Sequence, residues 1–248
     1  MKIKIIGIGA IVALFVLCFC LPVSAQTEVS VQFTGGYTTT WGNSNGDWGA
    51  GIYSGAINGQ SSPGIICDDF NDEITSGEKW NAYAYQASSL TTSNIGETLF
   101  GSTIGITGYA ELATLVSMMF GNGTTYGSIT GITQAELSSA IWDITTPGGL
   151  SGLDAKAQAL VAAVEAAFNG NNSKAQTYLA TLTNLWILTP TPKGPGEAQE
   201  MWTDPPSSLA VTVPEGGTAL LYLLLAGFSC FVAMLFSNKS RIGRGITA

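Results

Sequence analysis

The sequence predicts an α+β fold with a β-rich N-terminal part, a helical middle, closing strands and a single C-terminal transmembrane helix. Three observations lead to this prediction. Residues 27–87 alternate apolar and polar side chains between glycine-rich turns, which is typical of half-buried strands. Residues 107–182 place apolar side chains at helical spacing, and residues 218–236 form an uncharged apolar run. Because the strands lie before and after one block of helices rather than alternate with them, we expect α+β rather than α/β.

The predicted strands lie on either side of the helices. Alternation and turn signals predict strands at residues 27–36, 65–70, 80–87, 185–188 and 200–203. The first is expected to end at Gly35 and its neighbouring glycine. Residues 37–63 are rich in Gly, Ser, Thr and Asn and contain two Trp-Gly pairs, at Trp41 and Trp48. Aromatic residues among glycines indicate short strands and tight turns, since disordered segments have few aromatic residues.

Four helices are predicted from their own start and stop signals. They cover residues 109–120, 135–144, 154–168 and 173–182. Thr133 and Glu136 have the spacing of a capping box, in which each side chain bonds a free amide of the first turn. Asp154 is a cap for the third helix, and Asn169 with the following glycine is a typical helix end.

The first 25 residues have the pattern of a secretory signal peptide. Two lysines begin the segment, an apolar stretch from Ile5 to Leu21 follows, and Val-Ser-Ala ends it. These features predict export through the secretion translocon and cleavage by signal peptidase between Ala25 and Gln26. The alternatives are an uncleaved transmembrane helix and a lipoprotein signal at Cys18 or Cys20.

A second membrane-directed segment follows the exported domain, which we assign to residues 26–204. Residues 205–217 form a Pro/Ser/Gly spacer that ends in a turn-forming motif, composed of Val213, Pro214, Glu215, Gly216 and Gly217. The apolar run at 218–236 is about 28 Å long as a helix, which is enough to cross a bilayer core. It predicts a transmembrane helix.

The last part of the chain, residues 237–248, is a basic tail. It carries Lys239, Arg241 and Arg244, and the stretch just before the span has no basic residue. This asymmetry predicts that the tail lies in the cytoplasm. A motif, a span and a basic tail in this order are the parts of a sorting signal; the alternative is an ordinary single-pass anchor.

The charges and residue types of the exported part exclude several classes of protein. Seventeen acidic and four basic residues lie between Glu28 and Glu215, a formal charge of −13, so we expect no nucleic-acid partner. The chain has no histidine, which excludes histidine general bases, catalytic triads that contain histidine and histidine metal sites. Carboxylate-only catalysis, as in a glycan-cleaving enzyme, stays open.

Cys67 is the one cysteine of the predicted exported domain, so that domain has no intrachain disulfide. It is a buried inert thiol, a partner in intermolecular pairing or a reactive group. The carboxylates that follow it form a candidate Ca²⁺ site, made up of Asp68, Asp69, Asp72 and Glu73. Because the glycine and distant glutamate of an EF-hand loop are missing, a solvated turn is the alternative.

Aromatic side chains of the glycine-rich region give one further candidate site. Trp41, Trp48 and Tyr53 have the residue types of a sugar-stacking surface. The alternative is that they belong to the core, where aromatic residues of β regions commonly lie.

The C-terminal motif, span and basic tail resemble the sorting signal of PEP-CTERM exported bacterial proteins. Pro214 and Glu215 match that family's Pro-Glu-Pro motif, and the sequence is similar to its Val-Pro-Glu-Gly-Gly variant because Gly216 replaces the second proline. The resemblance implies recognition by an exosortase, a membrane transpeptidase. It also implies a cell-surface or matrix location in a biofilm, with extracellular polysaccharide as a candidate partner.

The body of the chain resembles the thioester domains of surface adhesins, although less closely. The similar segments are residues 51–55, Ile66-Cys67-Asp68-Asp69-Phe70 and Ala140-Ile141-Trp142. In that family a cysteine thiol joins a glutamine two residues before Ala-Ile-Trp, and that position is Ser138 here. Gln134 lies one turn earlier, about 6 Å along a helix, and is the candidate substitute. The resemblance implies a degenerate domain that keeps the fold without the bond.

Together these observations predict a non-enzymatic exported protein of the cell surface or extracellular matrix, without a required cofactor. The alternative is an adhesin that captures a ligand through a Cys67 thioester or a Ca²⁺-binding acidic turn.

Overall fold

The structure is a computed structural model that describes residues 27–204 except 44–45, 63, 147 and 194–197. The predicted signal peptide, its cleavage site, the sorting motif, the transmembrane span and the basic tail lie outside the described residues. The prediction of an α+β fold is confirmed for the described residues, since a large antiparallel sheet is combined with four α-helices in this part of the chain.

The described residues form nine strands and four α-helices. The strands are β1 (Thr27–Asn43), β2 (Gly46–Ile57), β3 (Gln60–Ser61), β4 (Ile65–Cys67), β5 (Lys79–Gln86), β6 (Thr125–Tyr126), β7 (Ile129–Thr130), β8 (Trp186–Thr191) and β9 (Met201–Thr203). The helices are α1 (Gly101–Phe120), α2 (Gln134–Thr145), α3 (Ala155–Phe168) and α4 (Asn172–Leu179), and short 3-10 turns lie at Ala87–Ser89 and Ile95–Glu97.

Six strands of the main sheet form a closed ring. The order is β1-β5-β8-β9-β4-β2-β3, and β1 also pairs with β2, which closes the ring and leaves β3 as an addition to β2. Alternate side chains point inward, so Val31, Ile57 and Leu188 pack together inside it. The opposite faces of β4 and β9 present Ile66 and Trp202 to the helices. Strand β4 is apolar throughout because both of its faces are covered.

Helix α1 lies at the centre of the helical layer and contacts the other three helices. It begins at Gly101, earlier than predicted, because a short first turn joins the main helix across Gly105, whose φ of 64° and ψ of −170° break the helical pattern. Among the described residues α1 is the one helix long and apolar enough to cross a membrane. Its inward side chains, Leu112 and Leu115 among them, are fully buried in the domain core, as in the core helix of a globular domain.

The first predicted strand does not end at Gly35, because β1 continues to Asn43. Gly35 and Gly36 have φ values of 91° and 84°, and they lie at a register shift between β1 and β2 that the strand passes without ending. Trp41 and Trp48 are direct cross-strand partners with ring centroids 5.6 Å apart. The two Trp-Gly pairs therefore belong to the two arms of one hairpin.

The predicted helix boundaries follow the capping residues closely. Thr133 and Glu136 form the expected capping box at the start of α2. Asp154 caps α3 with its carboxylate on two backbone amides, and Asn169 ends it in the left-handed conformation. Helix α4 is shorter than predicted, because it ends at Leu179 rather than at Leu182.

Candidate functional site

The contact that Cys67 makes with Gln199 is the centre of the candidate site. Strands β4 and β9 are antiparallel with Cys67 opposite Met201, so the residues that follow Cys67 lie beside those that precede β9. The Cys67 Sγ atom lies 3.0 Å from Gln199 Oε1 and 3.0 Å from the carbonyl oxygen of Asp69. Gln199 Nε2 donates to that same carbonyl at 3.0 Å. The thiol, the amide and one backbone carbonyl thus form a closed triangle.

This triangle is shielded from solvent. Cys67 is 3% exposed and Gln199 is 6% exposed. Burial raises the pKa of the Cys67 thiol well above its ordinary value, and the neighbouring carboxyl groups of Asp68 and Asp69 raise it further. Because the thiolate is the nucleophilic form of cysteine, the resting thiol is neutral and weakly reactive.

Helix α2 fixes the backbone around Cys67. The indole nitrogen of Trp142 donates to the Cys67 carbonyl oxygen at 3.1 Å, and the Thr145 hydroxyl donates to the Asp68 carbonyl oxygen. Trp142 and Thr145 lie one turn apart on the same face of the helix. The end of strand β4 is therefore attached to the helical layer through its carbonyl groups.

Glu200 is the main acceptor of the buried network. Its Oε1 accepts from the Tyr109 hydroxyl at 2.5 Å, and its Oε2 accepts from the Thr189 hydroxyl at 2.5 Å and from the Leu99 amide at 2.8 Å. The donors come from helix α1, strand β8 and the loop before α1. A fully buried carboxylate with three donors is well compensated for its loss of water.

Asp68 is buried beside Glu200 and behaves differently. Its Oδ2 accepts from the Trp202 indole nitrogen at 2.6 Å, while no donor of the described residues reaches its Oδ1. Burial raises the pKa of Asp68 well above its ordinary value, and the charge of Glu200 raises it further. Burial raises the pKa of Glu200 as well, so at least one of these two neighbouring carboxyl groups keeps its proton. We assign that proton to Asp68, because Glu200 accepts from three donors and Asp68 from one.

The glutamine predicted to face Cys67 lies elsewhere. Gln134 Oε1 accepts from the Thr38 hydroxyl at the start of α2, and the glutamine that contacts Cys67 is Gln199. Ser138 occupies the position at which thioester domains have their glutamine, and its hydroxyl oxygen accepts from the Gly51 amide at 2.8 Å. Nothing local in the sequence marks Gln199. Its position follows from the pairing of β4 with β9, and these strands are more than 130 residues apart.

The four carboxylates of the acidic turn do not converge on one point. Asp68 and Asp69 are buried, Asp72 is half-buried and Glu73 is exposed. No group of three or more His, Cys, Asp or Glu side chains among the described residues is arranged to hold a metal ion. Asp69 Oδ1 instead accepts from the Asn71 amide at 3.0 Å, as in a capped turn. Burial raises the pKa of Asp69 to about 6.

Two of the three candidate sugar-stacking residues, Trp41 and Tyr53, are core residues, and Trp48 is half-buried against the core. Trp41 is 6% exposed and packs against Phe70 and Trp142 with ring centroids 5.9 Å and 6.0 Å away. Tyr53 lies edge-on to Phe33 inside the ring of strands. The aromatic residues therefore join the hairpin to helix α2, as the alternative prediction stated.

No protein-family model, no curated protein and no solved structure matches this chain.

Proposed function

We propose that this chain is a non-enzymatic, exported protein of the cell surface or extracellular matrix, delivered by a PEP-CTERM-like sorting signal. The observation that carries the proposal is the pair of membrane-directed segments, residues 1–25 and 213–248, on either side of a histidine-free acidic domain. The burial of Cys67, Asp68 and Asp69 in a polar network supports a structural role for these residues. Signal peptidase, the membrane and an exosortase-like transpeptidase are the proposed partners.

Processing of the C-terminus tests this proposal. An epitope tag placed after Ala248 should be lost from the mature protein in a host that makes an exosortase, and should be kept in the same host without that enzyme. Replacing both Pro214 and Glu215 by alanine should preserve the tag, because the recognised turn is removed. Tag loss is followed by immunoblotting of the cell-surface fraction.

Pro205→Ala, in the spacer before the motif, is the matched control and should leave processing unchanged. A tag that survives on the mature surface protein in the presence of the enzyme would contradict the sorting proposal. That result would favour an ordinary single-pass anchor.

The contact between Cys67 Sγ and Gln199 Oε1 favours a second candidate function, covalent capture of a ligand on a surface. In this reaction the thiol sulfur bonds to the side-chain carbonyl carbon of Gln199, the amide nitrogen leaves as ammonia, and the thiol proton leaves with it. The resulting thioester acylates an amine of the target, which restores the free thiol. The contact favours this step, whereas the raised pKa of the buried thiol opposes it.

Intact mass of the purified full-length chain distinguishes the two functions. The first proposal expects the unmodified mass, because the thiol is neutral and buried. The second expects a mass lower by one ammonia, and treatment with methylamine should replace this deficit by a mass one methylene group above the unmodified chain, because the thioester opens to an N-methylamide and a free thiol. Gln199→Glu is the control, because it removes the leaving amide and should abolish any ammonia-sized deficit. A deficit that persists in Gln199→Glu would exclude the Cys67–Gln199 bond.

A further inference from the structure

A cleft of about 400 Å³ opens between helices α1, α2 and α3. It is separate from the Cys67 network. Three carboxylates line it, one from each helix: Glu111 from α1, Asp143 from α2 and Glu165 from α3. No Lys or Arg belongs to the described lining of the cleft. The cleft is therefore a site of concentrated negative charge without an internal counter-ion.

Glu111 is the residue of the cleft that most needs a partner. It is 9% exposed, and its side chain makes no hydrogen bond or ion pair with any residue that the structure describes. The charged group that acts on it is Glu165, which repels it. Its oxygens are not among the fully enclosed, unpartnered atoms of the described residues, so they reach the solvent of the cleft, where water or a bound cation can compensate the charge. Burial, and then the charge of Glu165, raise the pKa of Glu111 to about 7.

Asp143 is fixed at the border of the same cleft. Its Oδ1 accepts from the Leu150 amide at 2.5 Å, which ties the loop after α2 to this side chain. The remaining wall is aliphatic and includes Ile104, Ile144 and Val161. The cleft thus combines separated negative charges with an apolar surface that suits methylene groups.

The carboxylates of the cleft are too far apart to bind one metal ion together, which favours a larger cation as the ligand. No set of three or more metal-ligating side chains in the described part of the chain is close enough to hold an ion. A cleft of this volume with charges on three helices fits a ligand that carries its positive charges apart. A flexible aliphatic amine has this form, because its ammonium groups are separated by methylene segments.

We propose that the cleft between α1, α2 and α3 binds an aliphatic di- or polyamine, with one ammonium group on Glu111 and the methylene chain against Ile144 and Val161. Glu165 and Asp143 hold further positive charge of the ligand. Binding supplies Glu111 with the partner that the protein itself does not provide. This site is independent of the sorting proposal, since it involves the folded domain alone.

Calorimetric titration of the full-length chain in detergent with spermidine tests the proposal. At pH 8 and about 0.15 M salt we expect saturable binding, and Glu111→Gln should weaken it at least about tenfold. Glu28→Gln is the matched control, because it removes the same charge from an exposed position of β1. The affinity of Glu28→Gln for spermidine should stay within about twofold of that of the unmodified chain.

Circular dichroism checks that both variants are folded. Glu111→Gln should fold because it replaces a buried acid by a neutral side chain of the same shape.

The pH dependence and a calcium titration complete the test. Affinity for spermidine should rise between pH 6 and pH 8, because Glu111 must lose its proton to hold an ammonium group. The other charged side chains that line the cleft, Asp143 and Glu165, are both acidic, so neither can take the place of the ligand's ammonium group beside Glu111. Absence of spermidine binding, equal weakening by Glu28→Gln, or tighter binding of Ca²⁺ than of spermidine would overturn the proposal.

Discussion

Glu200→Ala is expected to destabilise the protein by about 3–5 kcal/mol. The change leaves three donors without an acceptor, namely the buried Tyr109 and Thr189 hydroxyls and the half-buried Leu99 amide. Because these groups lie on α1, β8 and the loop before α1, their loss weakens the join between the sheet and the helices. Urea unfolding of the purified full-length chain, followed by tryptophan fluorescence, measures the effect.

Glu28→Ala is the control, since Glu28 is exposed on β1 and should change the free energy of unfolding by less than about 0.5 kcal/mol. Glu200→Gln should lie between the two, because it keeps one carbonyl acceptor and adds a donor where the network supplies donors already. A loss below about 1 kcal/mol for Glu200→Ala would show that the hydrogen bonds of Glu200 do not stabilise the fold as described.

Stability is also expected to fall as the pH rises from 4 to 8. The folded-state pKa of Asp68, Asp69 and Glu111 is raised in each case, so the folded protein binds more protons than the unfolded chain. This contribution is fully present below the unfolded values, which are 3.8 for aspartate and 4.5 for glutamate. It is lost as the pH passes about 6 for Asp69 and about 7 for Glu111.

Asp68→Asn measures how much of this pH dependence of stability comes from the buried carboxyl group of Asp68. The asparagine oxygen can accept from the Trp202 indole, and its amide can donate to Glu200, as protonated Asp68 does. We therefore expect this variant to be at least as stable as the unmodified chain at pH 8 and to show a shallower decline with pH. Urea midpoints at pH 5 and pH 8 measure both quantities.

Asp68→Ala serves as the contrasting variant and should lose about 3 kcal/mol at either pH. It leaves the Trp202 indole and Glu200 without their partner. Equal destabilisation by Asp68→Asn and Asp68→Ala would contradict a protonated Asp68 and would indicate that both carboxylates are ionised.

Local signals predicted the helices better than the sheet. The capping box at Thr133 and the cap at Asp154 involve residues three apart, so sequence alone locates these helix starts. Strand β1 was predicted too short because the Gly35–Gly36 pair has the pattern of a turn. In the structure β1 pairs with β2 on both sides of these glycines, so the strand continues past them. Long-range pairing supplies that information, and a local pattern does not contain it.

The candidate site was predicted only in part for the same reason. Cys67 and the following acidic residues stand out in the sequence, and the structure does gather Cys67, Asp68 and Asp69 at one place. Gln199 and Glu200 complete that network from the far end of the domain through the β4–β9 pairing. The sequence predicted a strand at 200–203, but it did not indicate that this strand pairs with β4. The unpartnered Glu111 was missed because it resembles any polar position within a helix.

The pairing of strand β8 bears on how this domain behaves at high local concentration. Its first three residues pair with β9, and Thr189–Thr191 pair with β5 alone among the described strands. A strand edge without a partner can add a strand of another molecule, which begins aggregation. Here Thr189 and Pro190 are buried, and Pro190 and Pro192, which lie in this stretch and just after it, have no amide hydrogen to offer. The ring of strands thus discourages association between copies at the place where it is least complete.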